Sequence, residues 1–311
     1  MSYSGVIVIS IVILSYNHEK YIAETLESVY QLNIPKEVIV IDDCSKDSSL
    51  DVIRNIVSKH DASMYTKIVA KEINRGLVDS LNSGLEMANS EFVYFIASDD
   101  LVESEGFKLL YDELCNNDSA QFAMGNAWVF YTGQKSTEFV YKKQHDVFFS
   151  GDDASLRKKI FTNFPKPLLL QATIFRTQAL KDVGGWDKTL VWDDYPMFVK
   201  LFQSFSLSKN EFLFRKGLIV SKYRQHDSNA YKNFTKQLDM VEKAIKKLAP
   251  SELYNTAISR QYAFYVLLAV KSGDYKTAKY IAKKILRQKI LFSTIFYICA
   301  EVIQWVHRKR K

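Results

Sequence analysis

The chain has 311 residues, 47% hydrophobic and 14% aromatic, with only 11 Gly and 5 Pro, which excludes disordered, collagen-like and low-complexity classes. Its 42 Lys and Arg against 35 Asp and Glu give a formal charge of +7, yet ten of those bases and one acid, Glu301, fall in residues 276–311. That tail carries +9 and residues 1–275 sum to −2, so a near-neutral body bears a cationic end. At roughly 100–200 residues per domain, the length suits one large domain with an appendage, or two domains.

In chain order, residues 6–14 (VIVISIVIL) are β-branched and apolar throughout, as a strand covered on both faces should be. Residues 19–32 place Ile22, Leu26, Val29 and Tyr30 at helical spacing. VIVID (38–42) predicts a second strand, 47–59 a second helix, KIVA (67–70) a third strand, 76–89 a third helix, and FVYFI (92–96) a fourth strand. Such βαβ repetition implies a parallel sheet wrapped by helices, an α/β fold whose ligands bind beyond the carboxyl ends of the strands. The order then becomes mixed. A helix is expected at 104–116, an aromatic strand at 122–131, a polar stretch to about 150, a strand at 171–176 and a helix from about 194. EFLFRKGLIVSKYRQH (211–226) reads as a hairpin around Lys216 and Gly217, and 232–288 as helices with SGD (272–274) as a turn.

Three widely spaced cysteines, Cys44, Cys115 and Cys299, fit neither a disulfide framework nor a zinc site and read as reduced thiols. The run 6–14 has no preceding Lys or Arg and no small-residue cleavage site after it, so it is not read as a signal peptide. The apolar stretch nearest to a spanning helix, LFSTIFYICAEVIQWV (291–306), is short and broken by Glu301 and Gln304.

The residues after each strand carry the chemistry. They are Ser15-Tyr16-Asn17-His18, Asp42-Asp43-Cys44-Ser45, Asn74-Arg75-Gly76 and Ala97-Ser98-Asp99-Asp100. An aromatic can stack on a base, a carboxylate can accept from base or ribose, and an acidic pair can hold a divalent cation. Singly, each is as well explained as a turn residue or helix cap; four polar clusters after four consecutive strands favour a site. There is no GxGxxG after the first strand and no GxxxxGK[ST], so dinucleotide and P-loop sites are excluded.

VILSYNHEKYIAETLESV, EVIVIDDCSKDSS, NRGLVDSLNSGLEMANSEFVYFIASDD, GGWD and YRQHDSN resemble glycosyltransferase family 2, the inverting enzymes of the GT-A fold, over about residues 6–230. The resemblance implies a GT-A, mostly parallel sheet, a nucleotide-sugar donor (usually a UDP-sugar) and a Mn2+ or Mg2+ ion. It places Ser15, Tyr16 and Asn17 at the donor, with Tyr16 on the base, Asp43 at the base's polar edge and Arg75 near the nucleotide. Ser98-Asp99-Asp100 matches the DxD-type motif, with Asp99 toward the ribose, Asp100 as metal ligand and Ser98 in place of the first carboxylate.

In VGGWDKTLVWDDYPMFVKL (183–201) the acidic pair Asp193-Asp194 opens a helix. The resemblance makes both catalytic candidates, Asp194 as the general base and Asp193 in the place of the usual Glu. Inverting transfer needs one carboxylate to take the acceptor hydroxyl's proton, a role compatible with capping. His226 matches a family histidine near the diphosphate or metal, though a lone histidine beside a hairpin is otherwise structural. Trp192 and Gln171, with Thr173, are candidates to face the acceptor, and Trp186 reads as core.

The expected activity is transfer of a sugar to a hydroxyl of a glycan or lipid-linked acceptor, as in bacterial surface polysaccharide synthesis. Residues 1–230 would be catalytic and 231–311 a helical extension. Its basic amphipathic tail would lie on an anionic membrane at the cytoplasmic face, or cap the enzyme; a nucleic-acid partner is not expected. Two competitors remain: a nucleotidyltransferase, for which SYNHEK lacks a glycine-rich basic loop, and a catalytically silent sugar- or lipid-binding relative.

Overall fold

The computed structural model describes residues 9–133, 138–226 and 234–309, the side chains at 301 and 303–309 excepted. Contacts divide the chain into Met1–Asp153 with Pro165–His226, and Ala154–Phe164 with Asp227–Lys311. The expected boundary at 230/231 and residues 6–8 of the expected first strand lie outside the described residues.

The first unit holds one mixed sheet. β1 (Ile9–Ser15), β2 (Lys36–Asp42), β3 (Thr66–Ala70) and β4 (Phe92–Ala97) alternate with α1 (Ile22–Tyr30), α2 (Ser49–Lys59) and α3 (Leu77–Met87). They run parallel in the order β3-β2-β1-β4, with Ile9 opposite Lys36 and Phe92. β1 is buried at all seven positions, the property its uniform apolar run predicts. The order reverses between β1 and β4. The crevice beyond their carboxyl ends, at Ser15–His18 and Ser98–Asp100, is thus the topological switch point where such sheets take ligands.

After the short β5 (Leu101–Val102) and α4 (Ser104–Cys115) come β6 (Phe122–Phe130) and β7 (Glu138–Phe139). β8 (Thr173–Arg176) joins β4 antiparallel, and β6 joins β8 antiparallel, so β6 again points the way of β4. The polar stretch expected before residue 150 contains a helix, α5 (Lys143–Phe149), followed by α6 (Asp153–Thr162). A 3-10 turn at Leu170–Ala172, α7 (Thr177–Asp182) and α8 (Asp194–Ser204) complete this part.

The expected hairpin at 211–226 is absent. Residues Phe212–Arg224 form one strand, β9, parallel to β6 along its length. The Lys216-Gly217 signal marks an irregularity within that strand: partners step from Met124↔Phe214 to Asn126↔Ile219. Asn126 bridges the gap, its Nδ2 donating to the Lys216 and Tyr141 carbonyls and its Oδ1 accepting from the Tyr141 N–H. A turn-forming dipeptide was thus absorbed as a bulge. Because β9 runs with β6 and β4, its end delivers Arg224 and His226 to the switch-point rim.

α4 lies so close to β9 that a Cβ on Gly106 would stand 1.8 Å from the Ile219 carbonyl oxygen. Backbone cannot yield there as a flexible side chain can. Gly106→Ala is therefore expected to lower unfolding free energy by about 1–3 kcal/mol or more, measured by urea denaturation.

In the second unit, α9 (Phe234–Leu248), α10 (Ser251–Lys271), α11 (Tyr275–Arg287) and α12 (Leu291–Lys309) follow residues Ala154–Phe164. Leu238, Val241, Ile245, Ile258, Tyr262, Ile281 and Ile285 are buried among them. The SGD turn falls as expected, with Asp274 accepting from the Thr277 N–H to cap α11. No helix among the described residues is long and apolar enough to cross a membrane.

Candidate active site

At the end of β1, Asn17 takes φ +55, a left-handed conformation that asparagine tolerates. Its N–H donates to Ser45 Oγ at 2.9 Å and its Oδ1 accepts from the Lys46 N–H at 2.8 Å, tying the loops after β1 and β2 together. Tyr16 beside it is 45% exposed, leaving a ring free to stack, whereas Ser15 is buried with its Oγ unpartnered among the described residues. Asp42 is committed locally, accepting from the Ser45 N–H and hydroxyl. Asp43 is buried and holds the third rim segment: Oδ1 accepts from the Arg75 N–H at 3.1 Å and Oδ2 from the Gly76 N–H at 2.7 Å. Lys71 Nζ lies 3.0 Å from the same carboxylate. Gly76 at φ +86 permits that turn, and Arg75 stands exposed at the rim.

The turn after β4 separates its two aspartates. Asp100 is 1% exposed and faces inward: Oδ1 accepts from the Arg224 N–H at 2.8 Å and Oδ2 from Gln171 Nε2 at 2.9 Å. Burial, and then the neighbouring Asp99, push its pKa well above the ordinary carboxylate range. Asp99 Oδ2 instead meets His226 Nε2 at 2.9 Å and His18 Nε2 at 3.9 Å. His18, Asp99 and His226 form a group able to hold a cation; Asp100, the ligand the resemblance implied, lies outside that group, with its oxygens accepting from the Arg224 N–H and Gln171 Nε2. Two ligand atoms about 2.1 Å from one ion lie ~3.0 Å apart at a right angle and ~4.2 Å when opposite, so both separations from Asp99 Oδ2 fit a shared ion. Burial lowers the pKa of His18, which favours the neutral imidazole that a ligand must be.

Arg224 secures this corner. It is fully buried, with Nε on the Asp99 carbonyl at 2.6 Å, Nη1 on Thr132 Oγ1, Nη2 on Glu24 Oε2, and its guanidinium between the Tyr21 and Phe130 rings. His226, two residues on, stacks on Tyr21 with centroids 4.9 Å apart.

Asp194, the first residue of α8, reaches another element: its Oδ1 accepts from the Leu170 N–H at 2.9 Å. The 3-10 turn thus holds Asp194 through Leu170 and Asp100 through Gln171. Desolvation, then Asp193, then Asp100 raise the Asp194 pKa well above that of a free carboxylate. Asp193 occupies the N-cap position, and its carbonyl accepts from Trp186 Nε1 at 3.2 Å. Trp186 is core, edge-on to Phe95, while half-buried Trp192 stacks on Tyr195 at 4.6 Å. Thr173 cannot face an acceptor: it is fully buried with its hydroxyl on the Leu169 carbonyl. Gln171 is occupied by Asp100. His18 and Arg224 carry no role expected from sequence, although both lie in the polar segments SYNH and YRQH at the ends of predicted strands.

The parallel half-sheet, its switch-point crevice and the mixed strands beyond define the GT-A fold. Solved structures agree: that of Staphylococcus aureus TarS 1-349 in complex with UDP-GlcNAc superposes with TM-score 0.57 at 18% identity, over 91% of this chain and 92% of that one. The mannosyltransferase PcManGT of Pyrobaculum calidifontis, in complex with GDP-Man and Mn2+, gives TM-score 0.58 at 14% identity, over 95% and 86%. The model of Glycosyl transferase family 2 matches residues 10–177, and the chain belongs to that family. Among its relatives, the poly-beta-1,6-N-acetyl-D-glucosamine synthase of Staphylococcus epidermidis RP62A is 27% identical over 194 residues, 62% of this chain and 45% of that protein. The poly(ribitol-phosphate) beta-N-acetylglucosaminyltransferase TarS of S. aureus Mu50 is 39% identical over 103 residues, 32% and 17%. The chain therefore spans less than half the length of these relatives.

Proposed function

We propose that the protein is an inverting, cation-dependent glycosyltransferase that moves a sugar from a nucleoside diphosphate, best a UDP-sugar, to a hydroxyl of a glycan or lipid-linked acceptor. The observation that carries this reading is a cation-ready group beside Asp100 and a half-buried carboxylate, Asp194, held by one oxygen, with Asp100 and Asp194 tied to the same 3-10 turn through Gln171 and Leu170. Relatives named for N-acetylglucosamine transfer, and a fold neighbour solved with UDP-GlcNAc, make UDP-GlcNAc the first donor to test.

In this reading Tyr16 stacks on the base, and the loop fixed by Asp43 presents Arg75 to the nucleotide. Asp99, His226 and His18 hold the ion. When bound, the cation supplies Lewis-acid neutralisation of the charge that develops on the departing diphosphate. Asp194 Oδ2 takes the acceptor hydroxyl's proton as that oxygen bonds the anomeric carbon, while the opposite bond to the diphosphate breaks with its electron pair. Leu170 keeps the carboxylate oriented, and Trp192 offers a ring to the acceptor sugar. A thermal-shift panel of UDP-, GDP- and dTDP-sugars with Mn2+, followed by transfer assays on the hit, tests the assignment. Stabilisation by one nucleotide class and transfer from it are expected. No shift together with neither transfer nor hydrolysis points to the catalytically silent alternative.

A second property concerns the C-terminal helices. Phe292 and Phe296 on α12 are 88% and 67% exposed, with Ile295 and Val302 on the same helical face, and Lys276, Lys279, Lys283 and Arg287 are exposed on α11. Apolar and cationic faces of this kind suit peripheral attachment to an anionic membrane, each basic residue adding roughly 1 kcal/mol near the surface. Phe292→Glu with Phe296→Glu is expected to abolish co-sedimentation with phosphatidylglycerol vesicles; undiminished sedimentation removes the membrane role.

A further inference from the structure

We propose that Ser98 and His18 together do the work of a carboxylate at position 98, and that the resulting two-imidazole, one-carboxylate group selects Mn2+ over Mg2+. This rests on the reading of that turn as the cation site.

Ser98 is fully buried and its backbone is fixed, its N–H donating to the Leu14 carbonyl at 3.0 Å and its carbonyl accepting from Thr25 Oγ1 at 2.9 Å. Its Oγ lies 2.8 Å from His18 Nδ1. The His18 backbone is also held, N–H to Ser49 Oγ at 2.9 Å. With the proton on Nδ1 and donated to Ser98, the Nε2 lone pair faces Asp99 Oδ2, where His226 Nε2 also converges. An outer hydroxyl that fixes the tautomer and orientation of a ligating imidazole commonly contributes 10–100-fold in metal affinity. A carboxylate at 98 would have offered the ion a hard oxygen. The serine instead aims a nitrogen at it.

The consequence is selectivity. Mg2+ takes oxygen donors and retains its water, whereas first-row transition ions accept imidazole readily. Ser98 is therefore a positioning residue and His18 a ligand, and together they set which ion the site prefers.

The test uses the full chain stripped of metal, with Mn2+ as probe. Free Mn2+ is read by electron paramagnetic resonance and displaced with Mg2+. In the wild type, displacement is expected to need more than about 100-fold excess Mg2+; in His18→Asp the excess is expected to fall at least about tenfold. Ser98→Ala is expected to weaken Mn2+ binding about 10-fold, with an unchanged circular dichroism spectrum. Electron spin echo modulation from bound Mn2+ should report two imidazole nitrogens in the wild type and one in His18→Ala. Equal modulation and equal affinity in His18→Ala, with Asp99→Asn losing the ion, would overturn this proposal and leave the cation site standing. Undiminished binding in Asp99→Asn and His226→Ala would overturn both.

Discussion

Asp194→Asn is expected to lower the transfer rate by about 10²–10⁴-fold while donor affinity stays within about twofold of wild type. The amide keeps the shape of the carboxylate, and its Oδ1 can still accept from the Leu170 N–H, so the fold has no reason to fail. What it lacks is an oxygen able to take a proton. Stability separates this account from a structural role for the residue. The folded-state pKa of Asp194 is raised by desolvation and by Asp193 and Asp100, so folding favours the protonated form. Its contribution is fully present below the unfolded pKa of about 3.9 and is lost as pH rises through the raised folded value. At neutral pH the ionised carboxylate therefore costs stability, and the asparagine variant should melt at the same temperature or higher. The gap should widen with rising pH. A less stable variant with full activity would contradict the assignment. For the same reason, the acid limb of kcat/KM should lie above the ordinary carboxylate range and vanish in no variant that retains Asp194.

Asp99→Asn should weaken Mn2+ binding by more than about 100-fold and abolish the cation-dependent part of donor binding, both read by calorimetry. The neutral amide leaves two imidazoles without the anionic oxygen that faces both of them. Asp100→Asn should differ. Its oxygens meet the Arg224 N–H and Gln171, so the variant should affect Mn2+ affinity less than Asp99→Asn does. The reverse ranking would return the ligand role to Asp100.

Much of the first half of the molecule was legible because its signals are local. A strand such as Ile9–Ser15, buried at every position, has no polar face to confuse its period, and each rim cluster follows its strand directly. The later strands were harder to read, since their meaning depends on partners far away. Lys216-Gly217 has the chemistry of a turn, and only pairing with β6 and the side chain of Asn126 make it a bulge. Likewise α5 is a single short helix whose apolar residues, Val147, Phe148 and Phe149, are bunched at its end. No helical period announces it.

The site shows the same division. Asp43, Asp99, Asp194 and His226 were singled out by their place in the chain, but which of two adjacent aspartates faces the rim depends on what occupies the other. Arg224 and Gln171 make that choice by hydrogen-bonding Asp100. Asn17 and Asp43 were expected to meet the donor; their side chains also fasten the loops after β1, β2 and β3 to one another, which no local pattern announces. His18 had no assigned task because its partner, Ser98, lies 80 residues away.

Proton NMR of the anomeric signal, followed during reaction of an α-linked UDP-sugar with Mn2+ and an acceptor, is the decisive measurement for inverting sugar transfer with Asp194 as the base. A β-linked product is expected from wild type and none above background from Asp194→Asn; an α-linked product, or equal transfer by both proteins, would overturn that assignment.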